Sequence, residues 1–148
     1  MVIALIFSLI FAKCIAPELP ESLIIIKPDP VCIYNLNDPL LRAVACYESR
    51  FDTLAVNRVS KARGLIQITP IMIREVNKIC NILKIPNHYT WKDAFNPFKS
   101  IEIWYIVQNH KNPAYDLEKA CIIWFGAGVQ YDGMTWRDYL KQIKKRML

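Results

Sequence analysis

The chain has 148 residues, enough for one domain with a sizeable hydrophobic core. Its formal net charge is +6, and its basic residues are spread along the chain except for a cluster at residues 141–146. That cluster suits the C-terminal dipole of a closing helix, so we expect no nucleic-acid partner, although the excess charge would favour an anionic polymer.

The residue types of several familiar catalytic sites occur without the spacing that those sites need. His88 and His110 stand apart, without an HExxH motif or cysteine ligand spacing, so we expect no metal site. There is no glycine-rich phosphate-binding loop, and we expect no cofactor. A peptidase with Cys46 as nucleophile is disfavoured because Cys46 falls opposite the apolar face of its predicted helix. The five cysteines contain no CxxC pair, so disulfides are permitted but not required.

The N-terminal segment differs in composition from the rest of the chain. Its apolar run, residues 2–12, is too short to cross a bilayer but has the length of the hydrophobic region of a signal peptide. We therefore expect residues 1–16 to be a signal peptide or membrane anchor, with export to the periplasm or cell envelope. A buried N-terminal helix or a truncated gene start is the alternative. Residues 17–34 form a proline-rich connector, and residues 35–148 a single domain.

The pattern in residues 35–148 is helical, with apolar residues three and four positions apart and a capping residue or proline before each run. It predicts five helices: one over residues 39–51 after Asp38, one from Thr69-Pro70 that stops before Pro86, one from Asn96-Pro97 to His110, one from Asp116 to the glycines 126 and 128, and one after Thr135. The only strand candidates are "LIIIK" and "GLIQI". The predicted fold class is therefore all-α, with few or no short strands.

One carboxylate occupies an unexpected position in the first predicted helix. At about 100° per residue, Glu48 falls between Leu41 and Val44 on the apolar face. A buried, unpaired carboxylate is energetically costly, so it is either paired or functional. The pairing explanation is a salt bridge to a basic residue of the following loop, Arg58, Lys61 or Arg63. The functional explanation is a cleft-lining general acid, whose apolar surroundings raise its pKa so that it donates a proton near neutral pH, as glycosidic cleavage requires.

Four segments, taken together, resemble the soluble lytic transglycosylase family: "AVACYESRF", "ARGLIQITP", "DAFNPFKSIEIWYIV" and "ACIIWFGAG". The resemblance covers roughly residues 35–148, and its most specific parts are the Glu-Ser pair and the Gly-Leu-x-Gln-x-x-Pro segment. It implies a lysozyme-like α fold and a bacterial enzyme whose partner is the glycan strand of peptidoglycan. We expect such an enzyme to be a monomer, and its N-terminal segment could associate with a membrane.

The resemblance also implies roles for individual residues. Glu48 corresponds to the family's catalytic acid/base, Ser49 to the polar residue beside it, and Gln67 to the amide that helps to line the sugar cleft. The other expected substrate-binding residues are Ile68, Trp124 and Phe125.

The third signature of the family departs from its usual form in this chain. The family reads Ala-Tyr-Asn-x-Gly, whereas residues 124–128 here read Trp-Phe-Gly-Ala-Gly. Phe125 stands where a tyrosine hydroxyl approaches the acid or the substrate. Tyr47, Tyr105 or Tyr131 could supply that hydroxyl, and the sequence leaves the choice open.

The mechanism that the resemblance implies uses Glu48 twice. Glu48 first protonates the oxygen between N-acetylmuramic acid and N-acetylglucosamine, and then accepts a proton as a 1,6-anhydro ring closes, without water. This needs no second carboxylate, and we expect Asp52 to be a cap or turn residue. Two alternatives stay open at this point: a lysozyme-type muramidase that hydrolyses the same bond, and a non-catalytic wall-binding module on the same fold.

Overall fold

A computed structural model of the chain describes residues 36–126 and 133–148. The predicted leader and connector, and Tyr131, lie outside these described residues. The described residues form five α-helices and one 3-10 helix: α1 (Pro39–Ser49), α2 (Pro70–Leu83), the 3-10 helix (Trp91–Phe95), α3 (Pro97–Lys111), α4 (Leu117–Phe125) and α5 (Trp136–Met147). Their β-type pairings are isolated bridges, so the predicted all-α class is confirmed. None of these described helices has the length and apolar character needed to cross a membrane.

Each α-helix begins at a residue whose side chain accepts hydrogen bonds from the first turn. The Asp38 Oδ1 accepts from the backbone N–H groups of Leu40, at 2.9 Å, and of Leu41, at 3.3 Å. The caps of α2 to α5 are Thr69, Asn96, Asp116 and Thr135. The predicted helix starts are therefore confirmed. They could be predicted from the sequence because capping residues and first-turn prolines act within a few residues of each start.

The first helix is shorter than predicted. It ends at Ser49 instead of residue 51, because Arg50 and Phe51 adopt left-handed backbone conformations with φ of 54° and 66°. The loop that follows returns to the end of α1, where the Ser49 hydroxyl donates a hydrogen bond to the Leu65 carbonyl at 2.7 Å. This return brings the loop beside Glu48.

The segment "GLIQI" is not a strand, contrary to the strand candidate. Gly64 and Gln67 have positive φ, 73° and 51°, which an extended strand does not allow. The segment is held instead by isolated bridges between Val56 and Arg63 and between Arg63 and Ile68.

The sequence analysis does not predict the 3-10 helix. Its start is a capping box, in which the Asp93 carboxylate accepts from the Thr90 backbone N–H at 2.6 Å and from the Thr90 hydroxyl at 2.8 Å. The helix is only five residues long, too short for a periodic pattern to show.

The apolar faces of the helices meet in one core. α1 and α4 pack against α5, and α2 packs against α3. Trp104 of α3 and Tyr139 of α5 are among the largest fully buried side chains. Since α1 and α5 are in direct contact, residues far apart in the chain can share a site at the edge of this core.

Candidate active site

Two cavities of about 360 Å³ flank α1. One lies where the start of α1 meets the end of α5 and contains Arg42, Cys46 and Arg146. The other contains Glu48, and its lining residues are Tyr47, Glu48, Asn57, Val59, Ser60, Ala62, Gln67, Thr69, Trp124, Phe125, Met134 and Tyr139. We take the second as the candidate active site because it holds a carboxyl group together with polar and aromatic side chains.

The Glu48 carboxyl lies in the second cavity and accepts a hydrogen bond from the Tyr139 hydroxyl at 2.7 Å. Burial among apolar groups raises the pKa of Glu48 to about 7, and the Tyr139 hydrogen bond acts in the opposite direction. The cavity still leaves the side chain partly accessible to solvent. Glu48 is therefore a carboxyl group that a ligand could reach and that is substantially protonated near neutral pH.

The salt-bridge explanation of Glu48 is wrong within the described part of the chain. The ion pairs found there do not involve Glu48. Arg58 and Lys61 are exposed, and the Arg63 guanidinium lies over the Trp91 ring at 3.4 Å from its centroid. The loop cations thus leave Glu48 unpaired, and burial dominates its pKa.

Tyr139, in α5, is the hydroxyl partner of Glu48, and it is not among the three predicted tyrosines. The Tyr47 hydroxyl donates instead to the Met134 sulfur at 3.1 Å, and the Tyr105 hydroxyl to Asp38 at 3.3 Å. Tyr131 lies outside the described residues. The one sequence signal for Tyr139 is its place on the apolar face of the last helix, four residues before Ile143.

Two aromatic rings hold Tyr139 in place. The Tyr47 ring meets it edge to face, with centroids 5.1 Å apart, and the Phe125 ring lies at 5.2 Å. Tyr139 is buried, and burial followed by the nearby Glu48 charge raises the pKa of Tyr139 well above its usual range. The hydroxyl therefore stays protonated and acts as a fixed donor to Glu48.

Gln67 lies in the cavity with Glu48, in a left-handed backbone conformation. Its side-chain Nε2 donates to the Gly64 carbonyl at 3.1 Å and lies 3.4 Å from the Ala55 carbonyl. The amide nitrogen thus holds the loop, and a contact between Gln67 and sugar stays a prediction.

Ser49 and Ile68 do not line the cavity, unlike the other expected substrate-binding residues. The Ser49 hydroxyl is bonded to the Leu65 carbonyl, and Ile68 is fully buried in the core. Both side chains therefore contact protein, and this geometry gives no support to their predicted contact with substrate.

Trp124 and Phe125, at the end of α4, line the cavity, and their contact with substrate stays a prediction. The Trp124 Nε1 donates to the Ile66 carbonyl at 3.0 Å, and its ring packs on Trp104 with centroids 4.7 Å apart. These contacts hold the Trp124 ring against the segment that carries Ile66 and Gln67.

The segment between α1 and α2 supplies lining residues that the sequence analysis does not predict as site residues: Asn57, Val59, Ser60, Ala62 and Thr69. Four of the six described non-glycine residues with positive φ fall between residues 50 and 67: Arg50, Phe51, Lys61 and Gln67. Such strained conformations persist only where their surroundings hold them, and they cluster at functional sites.

Glu48 is the one acidic side chain among the described cavity-lining residues. Asp52 is exposed, and its carboxylate accepts from the Leu54 backbone N–H at 2.8 Å, which confirms the predicted turn role. The described residues also include no group of three histidine, cysteine or acidic side chains placed to hold a metal ion.

The sequence matches the family model of the transglycosylase SLT domain over residues 29–122. The match includes Glu48 and Gln67 and stops before Trp124, Phe125 and Tyr139. No curated protein and no solved structure matches the chain significantly.

Proposed function

The chain belongs to the transglycosylase SLT family, and we propose that it is an active peptidoglycan lytic transglycosylase in which Glu48 is the catalytic residue. The observation that carries the proposal is a cavity-lining carboxyl group whose pKa is raised to about 7 by burial and whose hydrogen-bond partner is a buried tyrosine. Peptidoglycan, the substrate of this family, is a glycan whose cleavage requires such a proton donor.

In the first step Glu48 acts as an acid. Its proton passes to the oxygen that joins N-acetylmuramic acid to N-acetylglucosamine, and the bond from that oxygen to the muramoyl C1 breaks. The N-acetyl group of the muramoyl residue stabilises the positive charge that develops at C1. A carboxyl group with a pKa near 7 is suited to this step because its protonated form is abundant at the working pH.

In the second step the same group acts as a base. The ionised Glu48 accepts the proton of the muramoyl primary hydroxyl while the oxygen of that hydroxyl bonds to C1. A 1,6-anhydro ring forms, no water is consumed, and Glu48 regains its proton. The Tyr139 hydroxyl stabilises the carboxylate between the two steps, since it donates to Glu48 at 2.7 Å.

The lining of the cavity supports a one-carboxylate mechanism. Asp52 is the nearest acidic residue along the chain, and it is exposed and engaged in a turn. The usual pair of carboxylates of a glycosidase therefore has no second member among the described lining residues. Participation of the substrate's own N-acetyl group replaces it.

The proposal includes export of the chain. Peptidoglycan lies in the cell envelope, where this family acts, so the enzyme must leave the cytoplasm to reach it. The apolar run of residues 2–12 supports a signal peptide or anchor. Action as a monomer is likewise part of the proposal.

Product analysis tests the proposal. The purified chain is incubated with peptidoglycan, and the released muropeptides are identified by mass. We expect 1,6-anhydromuramoyl ends with the wild type and a loss of about 10²-fold or more in rate with Glu48→Gln, which keeps the side-chain shape but removes the proton.

Asp52→Asn is the matched control and should retain the wild-type rate, because Asp52 lies outside the cavity lining. Reducing ends in place of anhydro ends would show a muramidase. Full activity in a folded Glu48→Gln protein would contradict the assignment of Glu48, and no product from the wild type would indicate a non-catalytic module.

A further inference from the structure

The first cavity, which contains Cys46, takes no part in the proposed reaction, because Glu48 lines the other cavity. Its volume is about 360 Å³, and its apolar lining residues are Leu36, Pro39, Phe51 and Met147. Arg42 and Arg146 also line it, and neither forms an ion pair within the described residues. The cavity therefore suits an occupant that is largely apolar and carries a negative charge.

Cys46 is the accessible cysteine of the described part of the chain. Cys80 in α2 and Cys121 in α4 are each 1% exposed, whereas Cys46 is partly exposed and lines the cavity. Thiol–disulfide exchange requires a sulfur that another sulfur can approach. Of the three described cysteines, Cys46 is therefore the one that a further thiol can reach.

The chain enters the described region at this same cavity. Leu36 is the first described residue and lines the cavity, so the segment before it is bonded directly to the cavity wall. Cys32 lies four residues earlier in the sequence, and four extended residues span up to about 14 Å. The Cα atoms of a disulfide pair are roughly 5.5–6 Å apart. This reach allows the Cys32 sulfur to meet the Cys46 sulfur, because Leu36 and Cys46 line one cavity.

The segment before Leu36 also matches the cavity in chemistry. Residues 29–35, outside the described residues, read Asp-Pro-Val-Cys-Ile-Tyr-Asn. Val31 and Ile33 supply apolar side chains for the apolar walls, and the Asp29 carboxylate is opposite in charge to the two arginines. Because the segment belongs to the same chain, its effective concentration at the cavity is high.

We propose that residues 29–35 dock in the first cavity and that a disulfide bond joins Cys32 to Cys46. The bond ties the segment before α1 to α1 itself, the helix that carries Glu48. An oxidising compartment, which the proposed export would provide, is where such a bond forms and persists. The inference goes beyond the proposed function, and its thiol chemistry is measured without glycan, so its failure and a failure of the proposed catalysis are distinguishable.

The bond forms by two exchanges with an oxidant of the disulfide class, such as oxidised glutathione. In the first exchange the Cys32 thiolate attacks one sulfur of the oxidant, and the other sulfur leaves as a thiolate that takes up a proton. In the second exchange the Cys46 thiolate attacks the Cys32 sulfur of this mixed disulfide and releases the second thiol. Two cysteine thiols are thereby oxidised to one disulfide, and one oxidant disulfide is reduced to two thiols.

Mapping of disulfides under defined redox conditions tests the inference. The full-length chain is equilibrated with oxidised or reduced glutathione, free thiols are blocked by an alkylating reagent, and linked peptides are identified by mass. In the oxidised wild type we expect one intramolecular link between the peptides that contain Cys32 and Cys46. Cys32→Ser should lose this link. Cys14→Ser is the matched control and should keep it, because Cys14 lies well before the segment that adjoins the cavity.

The link should also stabilise the fold. We expect the oxidised wild type to have a Tm roughly 10 °C above that of the reduced wild type, the effect of closing a loop of about 15 residues in a small domain. In Cys32→Ser the same change of redox buffer should leave the Tm unchanged. This comparison separates the effect of the bond from any loss of packing at position 32.

The absence of a link under oxidising conditions, a link to Cys46 that survives in Cys32→Ser, or a link that is lost in Cys14→Ser would each overturn the inference. A Cys46 that forms only a mixed disulfide with glutathione, or only a disulfide-linked dimer, would also overturn it. The cavity would then take a small thiol or a second copy of the chain instead of residues 29–35. Equal Tm values for the oxidised and the reduced wild type would show that the segment does not dock.

Discussion

Glu48 and Tyr139 show two physical effects acting on one pKa. Burial raises the pKa of the Glu48 carboxyl, while the hydrogen bond from the Tyr139 hydroxyl stabilises the ionised form and lowers it. The result, about 7, lies where one group can serve as acid and then as base. Tyr139 is therefore a positioning residue that sets the balance between the two forms of Glu48.

We predict that Tyr139→Phe shifts the pH profile. Losing the hydrogen bond leaves burial unopposed, so the pKa of Glu48 rises further. Since the protonated form of Glu48 starts the proposed reaction, kcat/KM should fall as the pH rises through this pKa, and in the variant that fall should occur at higher pH. We also expect kcat to drop by roughly tenfold, the effect of losing one hydrogen bond to a charged group. A pH series of kcat and kcat/KM measures both effects.

Tyr105→Phe is the matched control for the loss of a tyrosine hydroxyl. That hydroxyl donates to Asp38, at the other end of α1 from Glu48, so the profile should match that of the wild type. A profile shift in the control, or none in Tyr139→Phe, would show that the hydrogen bond does not tune Glu48.

At the scale of elements, the loop that carries Gln67 packs closely on the 3-10 helix. A Cβ atom added at Gly64 would lie 1.7 Å from the Ala94 carbonyl oxygen, and Gly64 has a φ of 73°. Both the space and the backbone conformation therefore require glycine there. The close approach of Gly64 to Ala94 fixes the position of the loop. Gln67, which donates to the Gly64 carbonyl at 3.1 Å, is thereby held in the cavity lining.

We predict that Gly64→Ala destabilises the protein by about 3 kcal/mol or more, because the backbone must move to remove the clash. Gly133→Ala is the matched comparison, since Gly133 has a similar φ of 77° but nothing within 4 Å of the added Cβ. It should cost about 1 kcal/mol from backbone strain alone. Denaturant unfolding of both variants gives the difference, and equal losses would mean that the close approach to Ala94 contributes nothing.

The sequence predicts the helices well because their signals are local. A capping side chain and a proline lie within a few residues of each start, as at Asp38 and Thr69, and the structure confirms those starts. The predictions from the sequence fail where the backbone takes a rare conformation. Nothing in "GLIQI" distinguishes a strand from a loop with left-handed residues, because that choice depends on the contact between Gly64 and Ala94.

At the scale of the whole molecule, the candidate site joins segments that no local pattern connects. Glu48 could be predicted because a carboxylate on an apolar helix face stands out within one helix. Its partner could not, because Tyr139 lies 91 residues further along and reaches Glu48 only through the packing of α1 against α5. The hydroxyl that donates to Glu48 thus comes from α5 and not from α4, which carries the third family signature.

The raised pKa of Glu48 also makes the stability of the whole molecule depend on pH. In the unfolded chain this carboxyl titrates near 4.5, and in the folded protein near 7. Between these values the folded state holds more protons than the unfolded state, so the free energy of unfolding decreases as the pH rises. Below pH 4.5 Glu48 is protonated in both the folded and the unfolded state, so it does not make the free energy of unfolding depend on pH. Above pH 7 the penalty is complete, on the order of 3 kcal/mol.

We therefore predict that Glu48→Gln, which removes this ionisation, becomes more stable relative to the wild type as the pH rises from about 4.5 to about 7. Thermal unfolding of both proteins across this range measures the difference in Tm. Asp138→Asn serves as a control, because hydrogen bonds from Thr135 hold the pKa of Asp138 below its usual value. Its contribution is lost only at pH values below this range, so its difference from the wild type should stay constant within the range. A difference between Glu48→Gln and wild type that stays constant with pH would mean that burial does not perturb Glu48. An increasing difference would show that the fold keeps, at a cost in stability, a carboxyl group whose ionised form burial disfavours.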